Sequence, residues 1–182
     1  MNVATIVMND RLQGPTFVRP QSLYADAFSA VFLTQDSYIE LLKQANRLFG
    51  IDIFNNKDLP PLEISYMLIT RDKLDCLRGV GKAANVTVHK MLYDADEGIL
   101  VALVIMKNNF TCNSVPHIVL AKKNHMRNSD VGKVVSVLNP LNIRPCSSAV
   151  KVHGRIGLLI GSREEEIVNH VMQPDRSEEH TS

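Results

Sequence analysis

The sequence has few of the residues that disulfide-bonded, metal-binding and base-stacking proteins depend on. It contains no Trp, aromatic residues make up 5% of the chain, and there are three cysteines. Cys76, Cys112 and Cys146 are widely spaced and form no Cys-x-x-Cys pair. An odd number of separated cysteines argues against a disulfide framework or a structural zinc site. Few aromatics argue against a platform for stacked bases. We therefore expect reduced thiols and no metal or cofactor.

The chain also lacks a long apolar run, a secretion signal and a strong net charge. No stretch reaches the roughly 18 apolar residues of a membrane span, and the first ten residues, MNVATIVMND, have no basic region. The formal net charge is +1, so bulk charge favours neither nucleic acid nor a membrane. These absences predict a cytoplasmic protein with no membrane partner, in which any RNA would be bound by a local patch.

Length and composition predict one globular domain with loose ends. The 182 residues are 45% hydrophobic, which suffices for a core without disulfides or metal. Residues 1–25 show no sustained periodicity and predict an N-terminal arm, followed by a domain over 26–174. Residues 175–182 resemble the translation of a DNA-sequencing adapter, so we expect a non-native tail that packs on nothing. The alternative is a genuine acidic tail.

Periodicity predicts a mixture of helices and strands without regular βαβ alternation. A helix over 35–49 is the clearest element, because Tyr38, Leu41 and Leu42 recur at helical spacing and Gly50 suits its C-terminus. The other expected helices cover 129–138 and the residues from 162 onward, and the expected strands cover 28–33, 62–70, 85–92, 99–106, 115–121, 149–152 and 156–160. This order predicts an α+β fold with two lobes of antiparallel strands around a central cleft and the helices outside.

Three stretches resemble the 2H phosphoesterases, which include LigT-like RNA phosphodiesterases and the cyclic phosphodiesterase domain of tRNA ligases. The first is the strand Ala27–Leu33 with its helix, and the second is the hairpin between Gly81 and Met106. The third is Val115-Pro-His-Ile-Val-Leu-Ala121, followed by Asn128-Ser-Asp130, which is similar to the family's second His-x-Thr strand and the Ser-Asn turn after it. Together these stretches cover about residues 26–160.

The resemblance implies a metal-free reaction in which two strands each present a His and, two residues later, a Thr or Ser. One His removes a proton from the nucleophile and the other protonates the leaving oxygen, while the hydroxyls hold phosphate oxygens. Here His117 occupies one His position, but Val119 replaces its hydroxyl partner. The other motif fits best with Glu63 at the His position and Ser65 at the hydroxyl position. The predicted catalytic set is therefore His117, Glu63 and Ser65.

The loop after the second motif supplies candidate groups for binding phosphate. Lys122, His125 and Ser129 follow the motif strand and could form a polar, positive rim; the alternative is a solvated loop. His117 itself could be a structural His on an apolar strand, and Glu63 a surface carboxylate at a strand start.

Two functions remain open at this point. In the first, the domain opens a 2′,3′-cyclic phosphate at an RNA end or cleaves a 2′-5′-linked or cyclic nucleotide, at a reduced rate. In the second, it is a catalytically inactive 2H-like module that binds a nucleotide or a protein. The presence of His117 and Ser65 favours the first function, whereas Val119 and the missing His favour the second.

Overall fold

The computed structural model describes residues 5–7, 27–62, 64–70, 78–105 and 115–160. Glu63, the expected helix after 162, the expected tail over 175–182, and the arm apart from residues 5–7 lie outside the described residues. The described strands are β1 (Thr5–Val7), β2 (Ala27–Leu33), β3 (Tyr66–Thr70), β4 (Ala83–Asp94), β5 (Ile99–Ile105), β6 (His117–Lys122) and β7 (Ile143–Ile160), and the α-helices are α1 (Gln35–Phe49) and α2 (Asn128–Val137).

Helix α1 begins and ends where its sequence predicts. The Thr34 hydroxyl accepts a hydrogen bond from the backbone N–H of Ser37 at 3.2 Å, which satisfies one of the free donors of the first turn. Gly50 adopts the left-handed conformation, φ 64°, and its N–H donates to Asn46 O. The apolar side of the helix, including Tyr38 and Leu41, is buried. Capping and amphipathic spacing together therefore fix this element.

All described strands belong to one antiparallel sheet, in the order β3-β2-β7-β4-β5-β6, with β1 also paired to β7. The order of elements in the sequence predicts two groups of antiparallel strands; in the structure, β7 joins them. Its C-terminal part pairs with β2, and its longer N-terminal part pairs with β4. The α+β class and the antiparallel pairing are therefore confirmed.

The two ends of the sheet approach each other, so that it nearly closes into a barrel. Pro61 forms an isolated antiparallel bridge with Ala121, and Leu62 N–H donates to Leu120 O at 3.3 Å. The Tyr38 hydroxyl of α1 donates to the same Leu120 carbonyl at 2.7 Å. Burial raises the pKa of Tyr38, which keeps this donor protonated. The segment before β3 is thereby fastened to β6, and we call this contact the seam.

The prediction of two separate late strands, over 149–152 and 156–160, is wrong. Strand β7 spans 18 residues and continues through His153 and Gly154, and Gly154 is paired with Leu33 of β2. A Cβ on Gly154 would lie 2.5 Å from the carbonyl oxygen of Phe32 and 2.7 Å from a methyl of Val31. Glycine is present here because the neighbouring backbone comes close, and no turn is involved.

The sheet has two faces with different coverings. The inner face carries Val31, Met67 and Ile118 and packs against α1 in the main core. The outer face carries Phe32 and Tyr66 over β2 and β3, and is covered by α2 over β5 and β6. The outer cluster under α2 contains Leu92, Ile99, Val101, Leu103, Val131 and Val135. Among the described residues, no helix has the length and apolarity needed to cross a bilayer.

Candidate functional site

The two segments that carry the motif positions meet at the seam. The sequence separates Ser65 from Val119 by 54 positions, yet the Ser65 Oγ donates to the Val119 carbonyl oxygen at 3.0 Å. Leu62 and Leu120 continue the contact through their backbones. Ser65 is also held from the other side, because its carbonyl accepts from Leu33 N–H at 3.1 Å. The fold therefore brings together the two motif regions that the sequence analysis singled out.

His117 is the first residue of β6 and is half-buried on the outer face. It is paired with Leu103 of β5, whose side chain lies in the cluster under α2. Its Nδ1 lies 2.7 Å from the Val115 carbonyl oxygen. Because a carbonyl only accepts, Nδ1 carries the proton in this bond, and Nε2 of the neutral ring is left with a lone pair. Among the described residues, Nε2 has no hydrogen-bonding partner.

The environment of His117 favours its neutral form. Burial lowers the pKa of the ring, and the hydrogen bond to Val115 offsets part of that shift. A neutral imidazole with an unprotonated Nε2 is the form that accepts a proton from water or a hydroxyl. The geometry is therefore that of a potential general base, whose tautomer is fixed by a backbone carbonyl.

The two hydroxyl positions of the motifs cannot both serve a phosphate in this arrangement. Val119 has only methyl groups and packs at the edge of the cluster under α2. Ser65 is 4% exposed, and its hydroxyl proton is directed to the Val119 carbonyl. Ser65 can accept a further hydrogen bond, but its proton is already used at the seam. Glu63 lies outside the described residues, so its role as the acid-base partner of His117 stays a prediction.

A hydrogen-bonded chain of three side chains borders the seam. Lys122 Nζ donates to Asn128 Oδ1 at 3.0 Å, and Asn128 Nδ2 donates to the Tyr66 hydroxyl at 2.8 Å. The chain connects the end of β6, the start of α2 and the start of β3. It places the predicted phosphate-binding Lys122 beside two residues that the sequence analysis did not assign to the site. Tyr66 directly follows Ser65, which is the only local signal that could have indicated it.

The other predicted phosphate-binding residues are solvent-accessible. His125 is exposed in the turn after β6, and Ser129 is exposed in the first turn of α2. A helix N-terminus favours an anion, but Asp130 already occupies this one, because its carboxylate accepts from Arg127 N–H at 3.2 Å. The structure therefore places His125 and Ser129 near the end of β6 without a contact to His117.

The described residues contain no cluster of side chains that could bind a metal ion. No group of three His, Cys, Asp or Glu side chains there is arranged to hold a metal ion. His89 lies at a register shift of β4 with respect to both neighbouring strands, and its Nδ1 is buried without a partner among the described residues. Burial, followed by the charge of Lys90, lowers the pKa of His89.

Comparison with known proteins does not place the chain in a family. No protein-family model matches it, and no curated protein matches it significantly. The site must therefore be interpreted from its own geometry together with the motif resemblance.

Proposed function

We propose that this domain is a 2H-type phosphodiesterase-like protein with a weakened site for phosphate esters at RNA ends. Its ligand would be a 2′,3′-cyclic phosphate, or a small 2′-5′-linked or cyclic nucleotide, held where the two motif segments meet. We also propose that the domain has the two-lobed arrangement around a central cleft that is typical of the 2H fold. One observation carries it: the hydrogen bond from Ser65 Oγ to Val119 O joins the two motif positions across the seam.

His117 would accept the proton of the attacking water or hydroxyl. Its Nδ1–H is held by Val115 O, and its lowered pKa keeps Nε2 unprotonated near neutral pH. Glu63, at the position of the second His, would deliver a proton to the leaving oxygen of the ribose. A carboxyl group can do this only in its protonated form. Lys122, held by Asn128, would supply the positive charge opposite the phosphate.

A second candidate is a module that binds nucleotides without hydrolysing them. The hydrogen bond from Ser65 Oγ to Val119 O favours this function. It uses the hydroxyl proton of Ser65, and the side chain of Val119 has no proton to donate to a phosphate. Each missing donor weakens stabilisation of the charge that develops on the phosphate oxygens during reaction. Binding through Lys122, His125 and Ser129 does not require those donors.

The test is hydrolysis of a 2′,3′-cyclic-phosphate oligonucleotide and of a 2′-5′-linked dinucleotide, each with and without a chelator. We expect slow activity that survives chelation and falls by about 10²-fold or more in His117→Ala, the range for a positioned acid-base group. His89→Ala is the matched control, since it removes another half-buried strand imidazole, and it should retain the wild-type rate.

Other results would change the proposal in defined ways. Activity lost on chelation contradicts the metal-free mechanism. Equal loss in His117→Ala and His89→Ala would indicate damage to the fold and no chemical role for His117. Absence of hydrolysis, with saturable nucleotide binding that weakens in Lys122→Gln, would establish the binding module instead.

A further inference from the structure

The charges of the sheet are segregated. In the described strands, Asp94 at the end of β4 is the single carboxylate, and its Oδ2 accepts a hydrogen bond from Asn142. Strand β7 contains no Asp or Glu in its 18 residues. The cationic residues, in contrast, are concentrated on the two central strands, β4 and β7. A chain of net charge +1 therefore carries a local excess of positive charge at the centre of its sheet.

Strand parity places three basic residues of β7 on one face. Lys151, His153 and Arg155 alternate along β7 with Val152, Gly154 and Ile156, which are buried in or against the main core. Residues two apart on a strand share a face, so these three basic side chains lie on the outer face. His153 confirms this orientation, because its Nδ1 lies 2.8 Å from Oδ1 of Asn85, its cross-strand partner.

Lys90 of β4 extends the row. It is paired with Leu103, a residue of the outer cluster, and is itself exposed. Lys151 and His153 are also exposed. Arg155 is half-buried and donates through a guanidinium nitrogen to Gly81 O at 2.8 Å, so it adds charge but also has a structural contact. We call Lys90, Lys151, His153 and Arg155 the basic stripe.

We propose that the basic stripe binds the phosphodiester backbone of an extended single-stranded polynucleotide. Successive basic residues on β7 are about 6.6 Å apart, twice the rise per strand residue, which suits a ligand with regularly repeated negative charges. Asn85 and Thr87 of β4, which are paired with His153 and Lys151, add polar groups and no opposing charge. The stripe contains no Phe, Tyr or Trp, so it would contact chiefly the phosphate backbone and would show little sequence preference.

This inference goes beyond the proposed function because the stripe lies on β4 and β7, and β5 separates these strands from β6 and His117. It predicts that the natural ligand is a strand longer than a dinucleotide, whose end could reach the seam. An RNA without any terminal phosphate should still bind the stripe. Hydrolysis at the seam and binding at the stripe can therefore fail separately.

The experiment measures fluorescence anisotropy of a labelled single-stranded RNA of about 12 nucleotides ending in a 3′-hydroxyl, a length within the usual range of single-strand binding sites, at several salt concentrations. The test variant is Lys90→Gln/Lys151→Gln. The matched control is Lys43→Gln/Lys57→Gln, which removes the same charge from exposed positions on α1 and a loop. Arg155 is left intact because of its contact with Gly81.

We expect the stripe variant to bind about 10-fold more weakly and to make the negative slope of log K against log salt shallower by about 1.4, at roughly 0.7 per lost contact. The control variant should stay within twofold of the wild type. Equal losses in both variants, or no binding by the wild type, would overturn the proposal. Equally tight binding to poly-glutamate or phosphatidylserine vesicles would also overturn it in favour of a different anionic partner. Dinucleotide hydrolysis by the stripe variant should be unchanged.

Discussion

The Ser65 hydroxyl donates a hydrogen bond of 3.0 Å to the backbone carbonyl of Val119. These are the two residues at the hydroxyl positions of the motif pair, and the bond connects their positions directly. The bond fastens the segment before β3 to β6. It also uses the hydroxyl proton that Ser65 would otherwise donate to a phosphate oxygen.

Replacing Ser65 should therefore destabilise the fold while testing its chemical role. Ser65→Ala removes a donor from a buried seam, and we expect a loss of about 1 kcal/mol in the free energy of unfolding, typical of one intramolecular hydrogen bond. Urea unfolding measures it. Ser147→Ala, at an exposed position of β7, is the control and should change stability by less than about 0.5 kcal/mol. If Ser65→Ala had the same free energy of unfolding as the wild type, the hydrogen bond from Ser65 to Val119 would contribute nothing to stability.

Gly154 should tolerate no side chain. In Gly154→Ala the new Cβ would meet the Phe32 carbonyl oxygen and Val31 within 2.7 Å, so either β2 or β7 must shift. We expect destabilisation of at least about 1–3 kcal/mol, the range for overpacking. Gly132→Ala in α2 is the control, because no atom would lie within 4 Å of the added Cβ; it should be neutral or stabilising by up to about 1 kcal/mol. Thermal unfolding of both variants decides the comparison.

The stability of the protein should fall on acidification through the pKa range of its histidines. Burial lowers the pKa of His117 in the folded state, so the unfolded chain binds a proton first. The free energy of unfolding then decreases as pH falls below the unfolded pKa of about 6.5, and continues to decrease until the folded ring is protonated. The pKa of His89 is also lowered, by burial and by Lys90, and acts with the same sign.

Urea unfolding between about pH 7.5 and 5, a range that spans the ordinary pKa of histidine, measures this dependence. His117→Gln keeps a donor for Val115 O but cannot take up a proton, so its stability should decline less steeply than that of the wild type. His89→Gln should remove a separate part of the pH-dependent loss of unfolding free energy. The double variant should therefore lose the least stability on acidification. A His117→Gln protein whose stability falls as steeply as the wild type would contradict the assigned burial of the ring.

Local elements could be predicted from the sequence, whereas long-range contacts could not. Helix α1 follows from Thr34, its apolar spacing and Gly50, all within one segment. The β4–β5 hairpin likewise follows from the alternation in β4, the continuous apolar run of β5 and the turn between Asp94 and Gly98. The division of the late residues into strands 149–152 and 156–160 is wrong, because Gly154 is explained by the close Phe32 carbonyl of β2 and not by a break in the strand. The seam bond of Ser65 and the hydrogen-bonded chain from Lys122 to Tyr66 also depend on partners far apart in sequence, and no local pattern encodes them.

The central claim is that the seam is a weakened form of a two-histidine phosphodiesterase site. Its most direct test is to restore the missing groups with Glu63→His and Val119→Thr, singly and together, and to measure metal-free hydrolysis of a 2′,3′-cyclic-phosphate oligonucleotide. Val134→Thr, which changes another half-buried valine of the cluster under α2, controls for effects of a hydroxyl on packing.

The account predicts that the double variant hydrolyses the substrate at least about 10²-fold faster than the wild type, the contribution of one positioned acid-base group. Adding His117→Ala should abolish the gain, and Val134→Thr should give none. A folded double variant that is no faster than the wild type, or one whose gain survives His117→Ala, would contradict the claim.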